Sequence, residues 1–329
     1  MEYTKISGID VRPTRIGLGT WAIGGWMWGG TDEQKSIDTV HHALDKGINF
    51  IDTAPAYGFG LSEELVGKAV EQYGNREDLV IATKVGIEWN ENEEVFRNAS
   101  RERIFKEVED SLERLRTDYI DVYQIHWPDP LVPIGETAEA MRQLYDEGKI
   151  KAIGVSNFST RQMDDFRKVA PVHTCQPPYN LFEREIEDDV LPYCQENNII
   201  LLTYGALCRG LLTGKMKPDT RFTGDDLRKV DPKFQSPRYE QYLEAVEKLD
   251  EFARKYNKRV LHLAVRWILD RIGDGIALWG ARKPPQVDPV DEVMGWELEQ
   301  DAMKQLDSII EEAVKDPVGP EFMAPPVRE

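Results

Sequence analysis

Short apolar runs of strand character alternate with stretches of helical periodicity, eight times over, through most of the 329-residue chain. The strand candidates span 16–19, 48–52, 79–84, 119–126, 152–155, 174–176, 199–204 and 275–280. A strand followed by a helix and another strand is the pattern of parallel pairing, because only a long crossover returns the chain to the same edge. The intervening stretches carry helix signals. Thr31-Asp32-Glu33-Gln34 has capping-box spacing, and Ile37, Val40, Ala43 and Leu44 then share one face before Gly47. Ser100 opens another helix, with Ile104, Val108, Leu112 and Leu115 at helical spacing, and Gly148 closes a third. Eight such units predict one α/β domain over 1–329, a (β/α)8 TIM barrel. An N-terminal hairpin turning at Ser7-Gly8 should precede it. Two regions break the rhythm: a Gly-, Pro-, Lys- and Asp-rich stretch over 208–237, and a Pro-rich tail over 317–329 that predicts irregular structure.

Charge excludes some partners. With 59 acidic against 41 basic residues the net charge is −18, and no dense basic patch offsets it, so a nucleic acid is not an expected partner. No apolar run approaches 18 residues, the first residues carry no apolar signal region, and the chain reads as soluble and cytoplasmic, with no membrane partner. Cys175, Cys194 and Cys208 have neither disulfide-framework nor metal-ligand spacing, so no metal is expected. Gly17-Leu18-Gly19-Thr20-Trp21-Ala22 matches the G-x-G-x-x-A fingerprint of a Rossmann turn, which requires a helix to open at once. The following Ile23-Gly24-Gly25-Trp26-Met27-Trp28-Gly29-Gly30 is too rich in glycine for one. A loop at the barrel mouth is expected instead.

Asp52, Lys84 and His126 each end a strand candidate, and Tyr57 follows Asp52 on the loop Thr53-Ala54-Pro55-Ala56. Ionisable residues at the C-terminal ends of successive parallel strands are how a barrel assembles a site. Taken singly, Asp52 could cap a loop, Lys84 could face solvent and His126 could be a satisfied core histidine. Together they suit one task. A phenol donates its proton poorly at neutral pH, a neighbouring lysine should lower its pKa, a carboxylate can hold the lysine, and a histidine can orient a carbonyl oxygen. Trp26, Trp28, Trp89 and Trp127 are either packing residues or pocket walls.

The chain resembles the aldo-keto reductase family through nearly its whole length. The segment 50–58 with Ser62-Glu63-Glu64-Leu65-Val66-Gly67-Lys68-Ala69 is similar to the family's first signature; 120–128, ending Ile125-His126-Trp127-Pro128, and 148–158, ending Ser156-Asn157-Phe158, are similar to two more. Tyr204-Gly205-Ala206-Leu207 and Gly280-Ala281-Arg282-Lys283-Pro284 resemble a bacterial branch. The resemblance implies an extended nicotinamide dinucleotide, NADP(H) rather than NAD(H), and carbonyl reduction with Tyr57 as proton donor, Lys84 tuning it, Asp52 holding Lys84 and His126 orienting the substrate. It implies that Ser156, Asn157 and Gln176 meet the carboxamide, that Tyr204 stacks on the nicotinamide, and that backbone of Gly205, Ala206, Leu207, Cys208 and Arg209 surrounds the pyrophosphate. Thr20, Trp21, Asp52, Gly280, Ala281, Arg282 and Gln286 complete the cofactor set, and Trp28, Trp89 and Trp127 the substrate pocket. Many members carry Lys-Ser where this chain has Gly280-Ala281, and Arg at Gln286, so Arg282 and Lys283 are expected to hold the 2′-phosphate. Substrate choice is expected to lie in the Trp26–Trp28 loop and the stretches 87–98 and 208–237, and a monomer is expected. A cofactor-binding regulatory subunit on the same fold and a Schiff-base lyase using Lys84 are alternatives; the second needs a neutral lysine.

Overall fold

A computed structural model describes residues 1–328. Eight parallel strands close into a barrel: β1 (Ile16–Gly19), β2 (Phe50–Asp52), β3 (Val80–Val85), β6 (Ile120–Ile125), β7 (Ile150–Ser156), β8 (Thr174–Gln176), β9 (Ile200–Thr203) and β10 (Ile276–Gly280). The intervening numbers belong to a short antiparallel hairpin, β4 (Ile87–Trp89) and β5 (Val95–Arg97), in place of the loop expected over 87–98. β1 pairs with both β2 and β10, which closes the ring.

Ser100 caps its helix as the sequence predicts, but the expected Thr31–Gln34 capping box does not form: Thr31 Oγ1 donates to the Ile23 carbonyl, Gln34 turns to Asp38, and Asp32 is the N-cap instead. Asp32 accepts from the Lys35 amide to open α2 (Glu33–Asp45), following a single turn, α1 (Trp21–Gly24); α3 (Leu61–Tyr73) comes next. Ser100 accepts from the Arg103 amide to open α4 (Arg101–Leu115). α1 corrects the expectation of pure loop after the G-x-G-x-x-A motif. It stops after one turn because Gly25, at φ +80°, leaves the helical region. With the sheet closed, the Rossmann reading has no place.

Inside the barrel the period of two along each strand builds a layered core. Phe50, Val80, Ala82, Val122, Ala152, Leu202 and Ile276 fill it, and Ile6 and Ile9 of the N-terminal segment join them. That segment folds back as expected: Thr4 N–H donates to Pro13, and Tyr3 and Thr14 form an antiparallel bridge. The two expected irregular regions are both ordered. Residues 208–237 form short 3-10 turns that cross the barrel mouth, and the tail carries one such turn over Glu321–Met323. A parallel bridge between Arg97 and Val327 ties the tail to β5. No helix among the described residues is long and apolar enough to cross a membrane.

Candidate active site

Two residues beyond the apolar layer, the same inward positions become polar. Phe50 is succeeded by Asp52, Ala82 by Lys84, Val122 by Gln124, and Leu202 by Tyr204. Register then aligns them: Lys84 is paired with Gln124, and Ser156 with Gln176. The strand pattern that packs the barrel therefore also delivers a ring of polar side chains at its C-terminal end.

Lys84 is fully buried and spends all three of its donors. Its Nζ reaches Asp52 Oδ2 at 2.7 Å, the Thr53 carbonyl at 2.9 Å and Tyr57 Oη at 3.3 Å. Because Tyr57 Oη accepts from Lys84, its own proton is free to point into the cavity. Asp52 Oδ1 accepts from Gln176 Nε2 at 2.7 Å and from Gln124 Nε2 at 3.3 Å. An acceptor-only carboxylate thus fixes which way both amides face. Gln124 was not among the expected site residues. Its place two residues before His126, on the inward face of one strand, was the signal. Gly154 makes room for it, since a Cβ there would lie 2.6 Å from Gln124 Cγ.

Burial controls the titrations. It holds the Tyr57 phenol well above its ordinary value, with the Asp52 charge adding to the effect. The enclosed site thus favours the protonated phenol. Burial, then the Lys84 charge, hold His126 well below the ordinary imidazole value, so it is neutral. Lys84 is itself moved down by burial, opposed by Asp52 and Glu63. The His126 ring stands edge-on to Tyr57, centroids 5.8 Å apart, while Trp21 stacks on Tyr57 at 6.0 Å.

Two backbone approaches place the tyrosine. A Cβ on Gly24 would lie 2.4 Å from the Tyr57 carbonyl oxygen, and one on Gly58 would lie 2.2 Å from that of Gly24. The α1 turn consequently packs directly on the Tyr57–Gly58 peptide. Asn157 sits at φ +60° and bridges three elements: its amide donates to the His126 carbonyl and Ser156 Oγ, and its oxygen accepts from Tyr204 Oη at 3.0 Å.

Two cavities meet at this point and share Trp21, Tyr57, Tyr204 and Met323. One is lined by Thr20, Trp21, Asp52, Gly205, Ala206, Leu207, Arg209, Gly280, Ala281, Arg282 and Gln286, twelve of the sixteen expected cofactor positions once Tyr204 is counted. Ser156, Asn157 and Gln176 line the other, with His126 and Trp127. Cys208 lies fully buried and lines neither. Trp28 lines the first cavity rather than the second. Trp89 lines neither; its ring packs 5.7 Å from Phe59 with the Arg103 guanidinium over it. Trp26, Met27, Ile87, Val95, Leu227 and Val230 bring all three expected specificity loops to the second cavity. The tail supplies Phe322, Met323, Ala324, Pro325 and Pro326 to it, a contribution no local pattern announced. Arg97 donates to the carbonyls of Pro325 and Pro128, and Arg328 to Asp129, so guanidinium groups hold the tail down.

Arg209 is committed to Glu183 and Asp231. Arg282 donates to the carbonyls of Trp28 and Gly30, while Lys283 is exposed and lines neither cavity.

The family model described as the aldo/keto reductase family matches residues 15–311. A Bacillus subtilis protein named aldo-keto reductase YhdN is 63% identical over 100% of this chain and 99% of its own. A solved glycerol dehydrogenase of Gluconobacter oxydans superposes with a TM-score of 0.90 at 54% identity, covering 98% of this chain and 99% of that one. An aldo-keto reductase of Klebsiella pneumoniae solved with NADPH gives 0.72 at 28% identity, with 94% and 96% covered.

Proposed function

Because the chain belongs to the aldo-keto reductase family, we propose that it is an NADP(H)-dependent reductase of aldehydes and ketones, running in reverse as an alcohol dehydrogenase. The observation that carries this reading is the Lys84 ammonium joining Asp52 and Tyr57 beside His126 at the meeting of the two cavities. The groove suits an extended dinucleotide. Gly280 has open space where a side chain would stand, and Tyr204 presents a ring at the junction. Arg282 would take the 2′-phosphate, Ser156, Asn157 and Gln176 the carboxamide, and the backbone of Gly205–Leu207 the pyrophosphate. Gln176 spends its amide protons on Asp52 and Gln124, which leaves Oε1 to accept from an amide.

A dinucleotide held by these residues would supply the hydride that the carbonyl carbon receives. Tyr57 delivers the proton to the carbonyl oxygen, and the neutral His126 ring aims that oxygen. As the proton leaves, the phenolate oxygen already accepts from Lys84, so the developing charge meets a preorganised donor. An ammonium bound this way to Asp52 is a tuning cation, which argues against the Schiff-base reading. Among the described residues, no Lys, Arg, Asp or Glu lines the substrate cavity. Uncharged carbonyl compounds with an apolar or aromatic body therefore fit it, whereas a carboxylate or phosphate would lose its hydration without a partner. Oxidation of NADPH by a panel of aromatic, aliphatic and anionic carbonyl compounds tests the reading; activity confined to the anionic ones would overturn the substrate class.

Two further outcomes are expected. Arg282→Ala should raise KM for NADPH on the order of tenfold to a hundredfold, the equivalent of a lost charged hydrogen bond, and leave KM for NADH nearly unchanged. Equal changes for both would remove Arg282 from the phosphate. The raised phenol pKa also sets a sign for pH. Reduction needs the protonated phenol, so its kcat should stay flat from about pH 6 to about pH 9. Oxidation needs the phenolate, so its kcat should climb about tenfold per pH unit below that pKa. Opposite slopes would contradict the assignment.

A further inference from the structure

Beside the cofactor-side loop, four charged side chains form one almost completely enclosed cluster. Glu183, Asp231 and Lys233 are 0% exposed at their side chains, and Arg209 is 4% exposed. Two cations and two carboxylates balance. Such a cluster adds little net stability over apolar residues of the same volume; what it supplies is direction, since every hydrogen bond joins defined atoms. Here the bonds join four separate segments.

Glu183 is the hub. Its Oε1 takes Lys233 Nζ at 2.9 Å and the Arg209 guanidinium; its Oε2 takes Asn180 Nδ2 at 2.7 Å. The same Asn180 amide donates to the Gly205 carbonyl at 3.1 Å. Asp231 receives Arg209 Nε at 2.5 Å and the Lys233 backbone amide at 2.9 Å. Cys208, Arg209 and Gly210 run through φ values of +45°, +53° and +92°, a run of left-handed backbone that the buried Arg209 side chain pins in place. Gly205 and Arg209 line the cofactor-side cavity.

The cluster also reaches the tail. Lys233 Nζ donates to the Gly319 carbonyl at 3.0 Å, Arg209 Nη1 lies 3.9 Å from Met323 Sδ, and the Arg209 guanidinium stands 5.5 Å from the Phe322 ring centroid. Phe322 and Met323 wall the substrate cavity, and Met323 lines both cavities.

We propose that Lys233 and Arg209 are positioning residues that lock the C-terminal tail to the cofactor-side loop, so that one buried charge cluster sets both the wall of the substrate cavity and the seat of the dinucleotide. This rests on the assignment of the two cavities above. Release of the Gly319 carbonyl loosens the start of the tail, ahead of the Arg97 contact at Pro325, and a Glu183 left with one cation fewer pulls differently on Arg209 and hence on the loop from Gly205.

Lys233→Met is the test, with Lys233→Arg as the charge-retaining control. Amide hydrogen exchange over 318–324 should quicken on the order of tenfold in Lys233→Met. The Kd for NADPH, read by tryptophan fluorescence, and the KM for an aromatic aldehyde should each rise by roughly tenfold, the span of an ordinary coupling energy, with kcat within about twofold. Lys233→Arg should restore most of each. Unchanged exchange, Kd and KM with only a lower Tm would make the cluster merely structural and overturn the proposal. If Lys233→Met does not fold, Lys233→Gln, whose neutral, shorter side chain gives up the ion pair and the reach to Gly319, is read by the same criteria. A wild-type chain that oxidises NADPH with no carbonyl compound would defeat the functional reading, while exchange over 318–324 would still decide the coupling.

Discussion

Replacing Tyr57 with Phe should lower kcat for carbonyl reduction by a factor on the order of 10³, while NADPH binds with nearly its original affinity. General acid catalysis by a positioned side chain contributes about 10²- to 10⁴-fold, and Tyr57 is the one protonated phenol in the enclosed junction that also accepts from a cation. Phe keeps the ring that stacks on Trp21 and meets His126 edge-on, so the cavity keeps its shape. Single-turnover reduction with saturating NADPH separates the two quantities. A variant that keeps more than a tenth of the wild-type rate would require another proton source.

Lys84→Met should be costly twice over. The substitution leaves the Asp52 carboxylate, 2% exposed, with Gln124 and Gln176 as its remaining donors among the described residues. Removing one partner of a buried ion pair costs about 3–5 kcal/mol, so urea denaturation should show a loss of that order. Activity should fall as well, because the phenolate formed from Tyr57 would lose its only charged donor. Asp52→Asn added to Lys84→Met should recover much of the stability, since no unpaired charge remains, and none of the activity. A Lys84→Met protein as stable and as active as the wild type would refute both arguments, and recovery of stability without activity would separate the packing role from the chemical one.

How much of this was readable in advance depends on how far apart the interacting residues lie. Asp52, Lys84 and His126 were visible because each ends an apolar run, and Tyr57 because it follows within one loop. Gln124 was equally visible in principle, at an inward position on the strand that ends before His126, but a glutamine among apolar neighbours carries no chemical signature until Asp52 is seen to need donors. The tryptophans show the opposite failure. Residue type alone could not tell Trp127, which walls the substrate cavity, from Trp89, which packs on Phe59 beyond it.

Periodicity and capping, read along the chain, determined the alternating strands and helices, the closed parallel barrel, and the four residues at its C-terminal rim. These are short-range properties: a repeat of two or of 3.6, a cap within three residues, a polar group just past a strand. Only the tertiary structure decided the direction of the Tyr57 pKa, because the burial that raises it is a sum over distant segments. It alone decided that the tail from Gly319 to Pro326 closes the substrate cavity. The contacts that hold it there join Lys233 to Gly319 and Arg97 to Pro325, across 86 and 228 residues of chain, and no local pattern spans such distances.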